Sequence, residues 1–135
     1  IKQIKRYILN NDLENEILFP NYITKEEAHQ YYKNALLYVF PSVDEGFGIP
    51  IIEAFSYSLP IICSDIPVFR EIANESVSYF NKGNFISLSE KIQTLIDSKD
   101  LREELIKKGN NRLNKFSRKN FIKGFENMII EKNEK

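Results

Sequence analysis

The sequence predicts an α/β fold: a parallel sheet with helices on both faces and a helical C-terminal end. Three observations predict it. Residues 36–40, 60–64 and 76–80 ("LLYVF", "PIICS", "SVSYF") are apolar along most of their length, as strands covered on both faces are. Helical stretches separate these runs, the alternation expected of a sheet built by crossovers. After Phe80 only helical patterning continues. The arrangement is Rossmann-like, and its crossovers should be right-handed.

Each element has its own signal. Ile1, Ile4, Ile8 and Leu9 recur at helical spacing, and Asn10, Asn11 and Asp12 end that helix. "EILF", residues 16–19, is a short strand candidate stopped by Pro20. Thr24 and Glu27 form a capping box that opens a helix to about Asn34. Pro41 closes the run 36–40. Residues 50–57 read as a helix with proline in its first turn, where a missing N–H costs little. "PVFREIA", 67–73, is a short helix before the strand at 76–80. Three helices follow, near 85–98, 101–116 and 118–132, with Ser117 as N-cap of the last. Residues 117–135 thus form a C-terminal helix whose polar "EKNEK" end frays.

The totals narrow the function. A chain of 135 residues with 42% hydrophobic content has the length of one domain and enough apolar matter for a core. Nineteen basic and nineteen acidic residues balance, which gives no electrostatic reason to propose nucleic acid as partner. No apolar run approaches the ~20 residues of a membrane span, and no secretory signal peptide is expected. The lone Cys63 has no partner for an internal disulfide and reads as a small core residue. A cytoplasmic location is expected, either free or at the inner face of the membrane. The chain begins at Ile1 and directly on a helical pattern, so an excised piece of a longer protein is the simplest expectation.

The stretch "VDEGFGIPIIEAF", residues 43–55, carries the chemistry. Ligands of open parallel sheets bind beyond the carboxyl ends of the strands, and this loop follows such an end. Gly46 and Gly48 allow unusual backbone angles and close approach of a ligand. The amides of Gly46, Phe47, Gly48 and Ile49 make a donor-rich rim at a helix N-terminus, which suits anions and hydroxyl-bearing ligands. Glu45 lies in the loop and Glu53 about one helical turn beyond it. Helix rise sets them on the order of 10 Å apart, a separation that suits hydroxyls on two parts of one elongated ligand better than a shared metal. A ligand of two sugars joined by phosphates fits. The residues alone leave another reading open, with Glu45 serving the helix dipole and Glu53 a solvated first-turn residue.

Residues 41–72, "PSVDEGFGIPIIEAFSYSLPIICSDIPVFREI", resemble the signature region of the family-4 (group 1) glycosyltransferases. These are retaining, nucleotide-sugar-dependent enzymes with two Rossmann-like domains (GT-B). The resemblance rests on Glu45 and Glu53 with seven residues between them. Pro41, Ser42, Gly46, Phe47, Gly48, Pro50, Ala54, Pro60 and Glu71 stand in the expected order around them. Weaker likeness extends through "ILFPNYITKEEAHQYYKNALLYVFPS" upstream and "LREELIKKGNNRLNKFSRKNF" downstream. It implies that residues 1–135 are a single partial domain, most of the donor-binding half, without the N-terminal acceptor domain. It implies that Glu45 contacts the transferred sugar, as the catalytic residue of this chain though not as a nucleophile. Gly46, Phe47, Gly48 and Ile49 would hold that sugar and the diphosphate, and Glu53 the ribose.

The resemblance further implies a donor substrate rather than a cofactor, no essential metal, and an acceptor sugar or lipid-linked saccharide as partner. Mannosyltransferase-like members of polysaccharide or lipopolysaccharide synthesis are the nearest in character. The arginine and lysine that clamp the diphosphate in the family lie outside this chain, so it should be inactive alone. Three positions depart from the pattern: Ser58 and Asn21 where glycine is common, and Arg118 where tryptophan is. The alternative from another class is a non-catalytic Rossmann-like binding or interaction module. His29 reads as a surface residue, and Tyr31, Tyr32 and Tyr38 as packing residues. Lys107, Lys108, Arg112, Lys115, Arg118, Lys119 and Lys123 read as a solvated basic face, with attraction to an anionic membrane as its alternative.

Overall fold

The computed structural model describes residues 2–20 and 22–116. The chain divides into two compact units, residues 1–31 and 32–135. The expected C-terminal helix, its Ser117 cap, Asn21 and Arg118 lie outside the described residues.

In the first unit, α1 spans Lys2–Asn10 and buries Ile8, while Ile4 and Leu9 stay exposed. Residues 16–19 are not the strand their composition suggested. The amides of Glu16 and Ile17 donate to the carbonyl of Leu13 at 3.1 and 3.0 Å. Amides turned into a local bend are lost to a sheet ladder, and Ile17, Leu18 and Phe19 are exposed. Helix α2, Lys25–Asn34, runs across the boundary, with Tyr32 and the residues after it in the second unit, and it opens on the expected capping box. The Thr24 amide donates to Glu27 Oε2 at 2.7 Å and the Glu27 amide to Thr24 Oγ1 at 3.2 Å.

The second unit holds a three-stranded parallel sheet in the order β1 (Tyr38–Phe40), β2 (Ile61–Ser64), β3 (Ser78–Phe80). Helix α3 (Ile49–Ser56) joins β1 to β2, and α4 (Pro67–Ala73) joins β2 to β3. Alternation along the strands divides the core into two. Ile61 and Cys63 face α3 and α4, packing with Ile51, Ala54, Phe55, Phe69 and Ile72. Ile62 faces the other way, with Phe80, Leu95 and Leu105. The last two come from α5 (Phe85–Asp97) and α6 (Lys99–Leu113). A 3₁₀ turn, Asn114–Phe116, follows. All four residues of β2 are fully buried, which explains why the strand reads as apolar up to its last residue, Ser64.

The second helix of the helical end starts two residues earlier than its pattern suggested, because Ser98 is a joint. Its amide donates to Thr94 O at 3.1 Å to close α5, and its hydroxyl accepts from the Leu101 amide at 3.2 Å to open α6.

Candidate functional site

The loop from Pro41 to Gly48 leaves the carboxyl end of β1 and delivers the chain into α3. Gly48 makes the turn possible: it sits at φ +84°, ψ +37° as the N-cap of the helix, a left-handed geometry that a side chain resists. Its carbonyl accepts from the Ile51 amide at 3.0 Å. Pro50 occupies the first turn, where no donor is lost. Gly46 does not have a positive φ, which narrows its expected role. A Cβ there would meet nothing within 4 Å among the described residues, so neither the backbone angle nor packing requires glycine at that position.

The rim of amides is open. Among the described residues, the N–H groups of Gly46, Phe47, Gly48 and Ile49 donate to no acceptor. They lie before the first intrahelical bond of α3, where such groups have no partner in the helix itself. Phe47 and Ile49 are half or more exposed, and Phe47 meets the ring of Phe116 edge-on at 6.5 Å.

Each glutamate has one carboxylate oxygen tied to a hydroxyl. Ser42 Oγ donates to Glu45 Oε1 at 2.6 Å, a short charge-assisted bond that restrains a side chain on a glycine-flanked loop. The Tyr32 hydroxyl reaches Glu53 Oε2 at 3.4 Å. Tyr38 joins the two. Burial raises its phenol above the ordinary range, and the neighbouring Tyr32 hydroxyl, with which it hydrogen-bonds, and the negative charges of Glu53 and Glu45 add to the effect. The carboxylates on the loop and on the helix therefore bear on one phenol of β1. The fold thus gathers the six expected residues at the carboxyl end of β1 and the start of α3. Sequence reasoning missed Ser42 and Tyr32 as partners of the glutamates. Ser42 stood three residues from Glu45, a readable local spacing, whereas Tyr32 is 21 residues from Glu53 and needed the fold.

Other features lie apart from these residues. At the carboxyl end of β2, Arg70 holds Asp65 through two bonds of 2.7 and 2.6 Å and stacks on the Tyr79 ring at 4.0 Å. One groove of about 260 Å³ is lined by Asn74, Ser76, Lys108 and Arg112, another of about 240 Å³ by Leu36, Pro60, Arg102 and Ile106. Neither includes any of the six. Arg112 donates instead to the Ile72 carbonyl at 2.7 Å and to that of Glu71, closing the end of α4. Lys108 pairs with Glu104 at 2.6 Å. His29 is exposed, as expected. Tyr32 and Tyr38 pack against the core, but Tyr31 is 50% exposed and does not. No described group of three His, Cys, Asp or Glu residues is arranged to hold a metal ion. No described helix is long and apolar enough to cross a membrane.

Comparison with known proteins identifies the family of the chain. The model of the family described as "Glycosyl transferases group 1" matches residues 2–112. The O-antigen chain mannosyltransferase RfbU of Salmonella typhimurium is 37% identical over 78 residues, 58% of this chain and 22% of that protein. The capsular polysaccharide biosynthesis glycosyltransferase CapM of Staphylococcus aureus is 36% identical over 90 residues, 64% of this chain and 24% of that protein. Among solved structures, the C-terminal domain of a group 1 glycosyl transferase (LpcC) from Francisella tularensis superposes with a TM-score of 0.74 at 22% identity. That match covers 84% of this chain and 60% of the other, and at this identity it speaks for the fold. The chain thus spans about a quarter or less of the curated relatives named here.

Proposed function

The chain belongs to the group 1 glycosyl transferases, and on that premise we propose that it is the donor-binding domain of a retaining, family-4 hexosyltransferase. The observation that carries the reading is the pair Glu45 and Glu53, each with one oxygen held by a hydroxyl, and between them the amides of Gly46 to Ile49, which meet no acceptor among the described residues. In this reading Glu45 accepts from hydroxyls of the transferred sugar. Glu53 accepts from the ribose of the nucleotide. The amides of Gly46, Phe47, Gly48 and Ile49 hold the sugar and the diphosphate. The names of the relatives favour a mannosyl donor and a surface-polysaccharide acceptor.

The bond between the anomeric carbon and the diphosphate breaks as a bond to the acceptor oxygen forms on the same face. The acceptor's proton passes to the departing diphosphate oxygen, so configuration is retained without a carboxylate nucleophile. Negative charge grows on the diphosphate, and preorganised amide donors stabilise it. Glu45 keeps the sugar oriented as positive charge develops at its anomeric carbon. The reading calls on no bound metal. The acceptor site and the cationic clamp for the diphosphate come from an acceptor domain and an upstream segment of the same enzyme. A reducing cytoplasm at the inner face of a membrane suits the lone buried thiol and an acceptor carried on lipid.

The test joins this domain to an acceptor domain and measures transfer from a panel of nucleotide sugars. Glu45→Ala should lower kcat by about 10²-fold, and Glu53→Ala should act mainly by raising KM for the donor, by about 10-fold or more. Undiminished transfer by both variants would exclude these roles.

A further inference from the structure

We propose that Tyr32 is a positioning residue for Glu53: its hydroxyl holds one carboxylate oxygen so that the other faces the ribose. The proposal rests on the role given to Glu53 above. Tyr32 lies in the last turn of α2 and reaches Glu53 Oε2 from 21 residues away. Glu53 Oε1 accepts from no protein donor among the described residues, so one oxygen is tied and one is open. The ring that carries the hydroxyl is fixed on two sides. It stacks on Tyr57 at 5.0 Å and 11° and tilts against Tyr38 at 5.5 Å. Such a ring has little freedom to deliver its hydroxyl elsewhere.

The distance of 3.4 Å is longer than a strong O–H···O bond. Bonds of this kind are often long before a ligand completes the site and tighten with it. Burial, with the charge of Glu53, raises the Tyr32 phenol. It is therefore protonated at neutral pH and donates to the carboxylate. The ring packing does not require the hydroxyl, so phenylalanine keeps the ring contacts while removing the bond to Glu53 and the hydroxyl's bond with Tyr38.

The experiment titrates the chain with GDP and UDP and with their 2′,3′-dideoxy forms, followed by NMR. The wild-type chain should prefer a ribose form by about 10-fold, and Glu53→Gln should abolish that preference. Tyr32→Phe should cut the preference by about 3-fold or more and leave dideoxy binding unchanged. If Tyr32→Phe keeps the full preference while Glu53→Gln loses it, the proposal is wrong and the role of Glu53 stands. Equal weakening of both ligand forms by Tyr32→Phe means a structural role and also overturns the proposal. A wild-type chain that does not distinguish the two forms removes the role of Glu53, and the proposal with it.

Discussion

At Gly48 the backbone enters the left-handed region, and a Cβ built there would stand 3.2 Å from Cε1 of the buried Phe69 ring. Alanine at this position pays about 1–2 kcal/mol for its backbone angle, before the squeeze on Phe69. Gly46 has neither constraint. Gly46→Ala should therefore leave thermal stability within about 0.5 kcal/mol of wild type while weakening nucleoside diphosphate binding. Gly48→Ala should lower both. Thermal unfolding and ligand titration on the two variants separate a glycine needed by the fold from one needed by a ligand. Ser58 makes the reverse case. It takes φ +54° where the family pattern commonly has glycine, and its hydroxyl reaches Asn110 Oδ1 at 3.2 Å near solvent. Relief of the left-handed angle outweighs an exposed hydrogen bond, so Ser58→Gly should raise stability by about 0.5–1 kcal/mol, read from denaturant unfolding.

Helices α3 and α6 meet at a glycine whose importance no local pattern announced. A Cβ on Gly109 would lie 2.6 Å from Cδ1 of Phe55, a ring 1% exposed within the core. Alanine gains about 1 kcal/mol of helix propensity, but overpacking a core ring costs about 1–3 kcal/mol. At 2.6 Å the clash wins, and Gly109→Ala should lose about 1–2 kcal/mol in equilibrium unfolding. Elements whose signal is local were legible in the sequence: the Thr24–Glu27 box, the proline in the first turn of α3, and the buried run of β2. "EILF" was misread because a strand exists only if a neighbour pairs with it. The α5–α6 joint was misplaced because Ser98 serves two helices at once, although "DSKD" contains the cap. The loop was legible as the turn from β1 into α3 through Gly48 and Pro50. The tertiary partner of Glu53, Tyr32, was not, since its 21-residue separation has no periodicity.

On the scale of the whole second unit, β2 divides two apolar layers, and Cys63 sits at their centre, fully buried. Burial pushes its thiol up to about 12, with the charge of Asp65 adding to the effect. At pH 8 only about one native molecule in 10⁴ carries the reactive thiolate. Labelling by a thiol reagent should thus be blocked in the native protein and track global opening. The sign for stability follows from the raised value. The unfolded chain gives up this proton near pH 8.5–9 and the folded chain near 12. The thiol's contribution is intact below about pH 8.5 and declines as pH rises from there toward 12, which denaturant midpoints measured across that range would register. The carboxyl end of the same sheet supports the functional reading, and one measurement tests it most directly: a backbone-amide NMR titration with a nucleoside diphosphate and with its mannose conjugate. Both ligands should move the amides of Gly46, Phe47, Gly48 and Ile49 most, and the conjugate's additional affinity should vanish in Glu45→Ala. Largest shifts around Asn74, Lys108 and Arg112, with those four amides unmoved, would contradict the account.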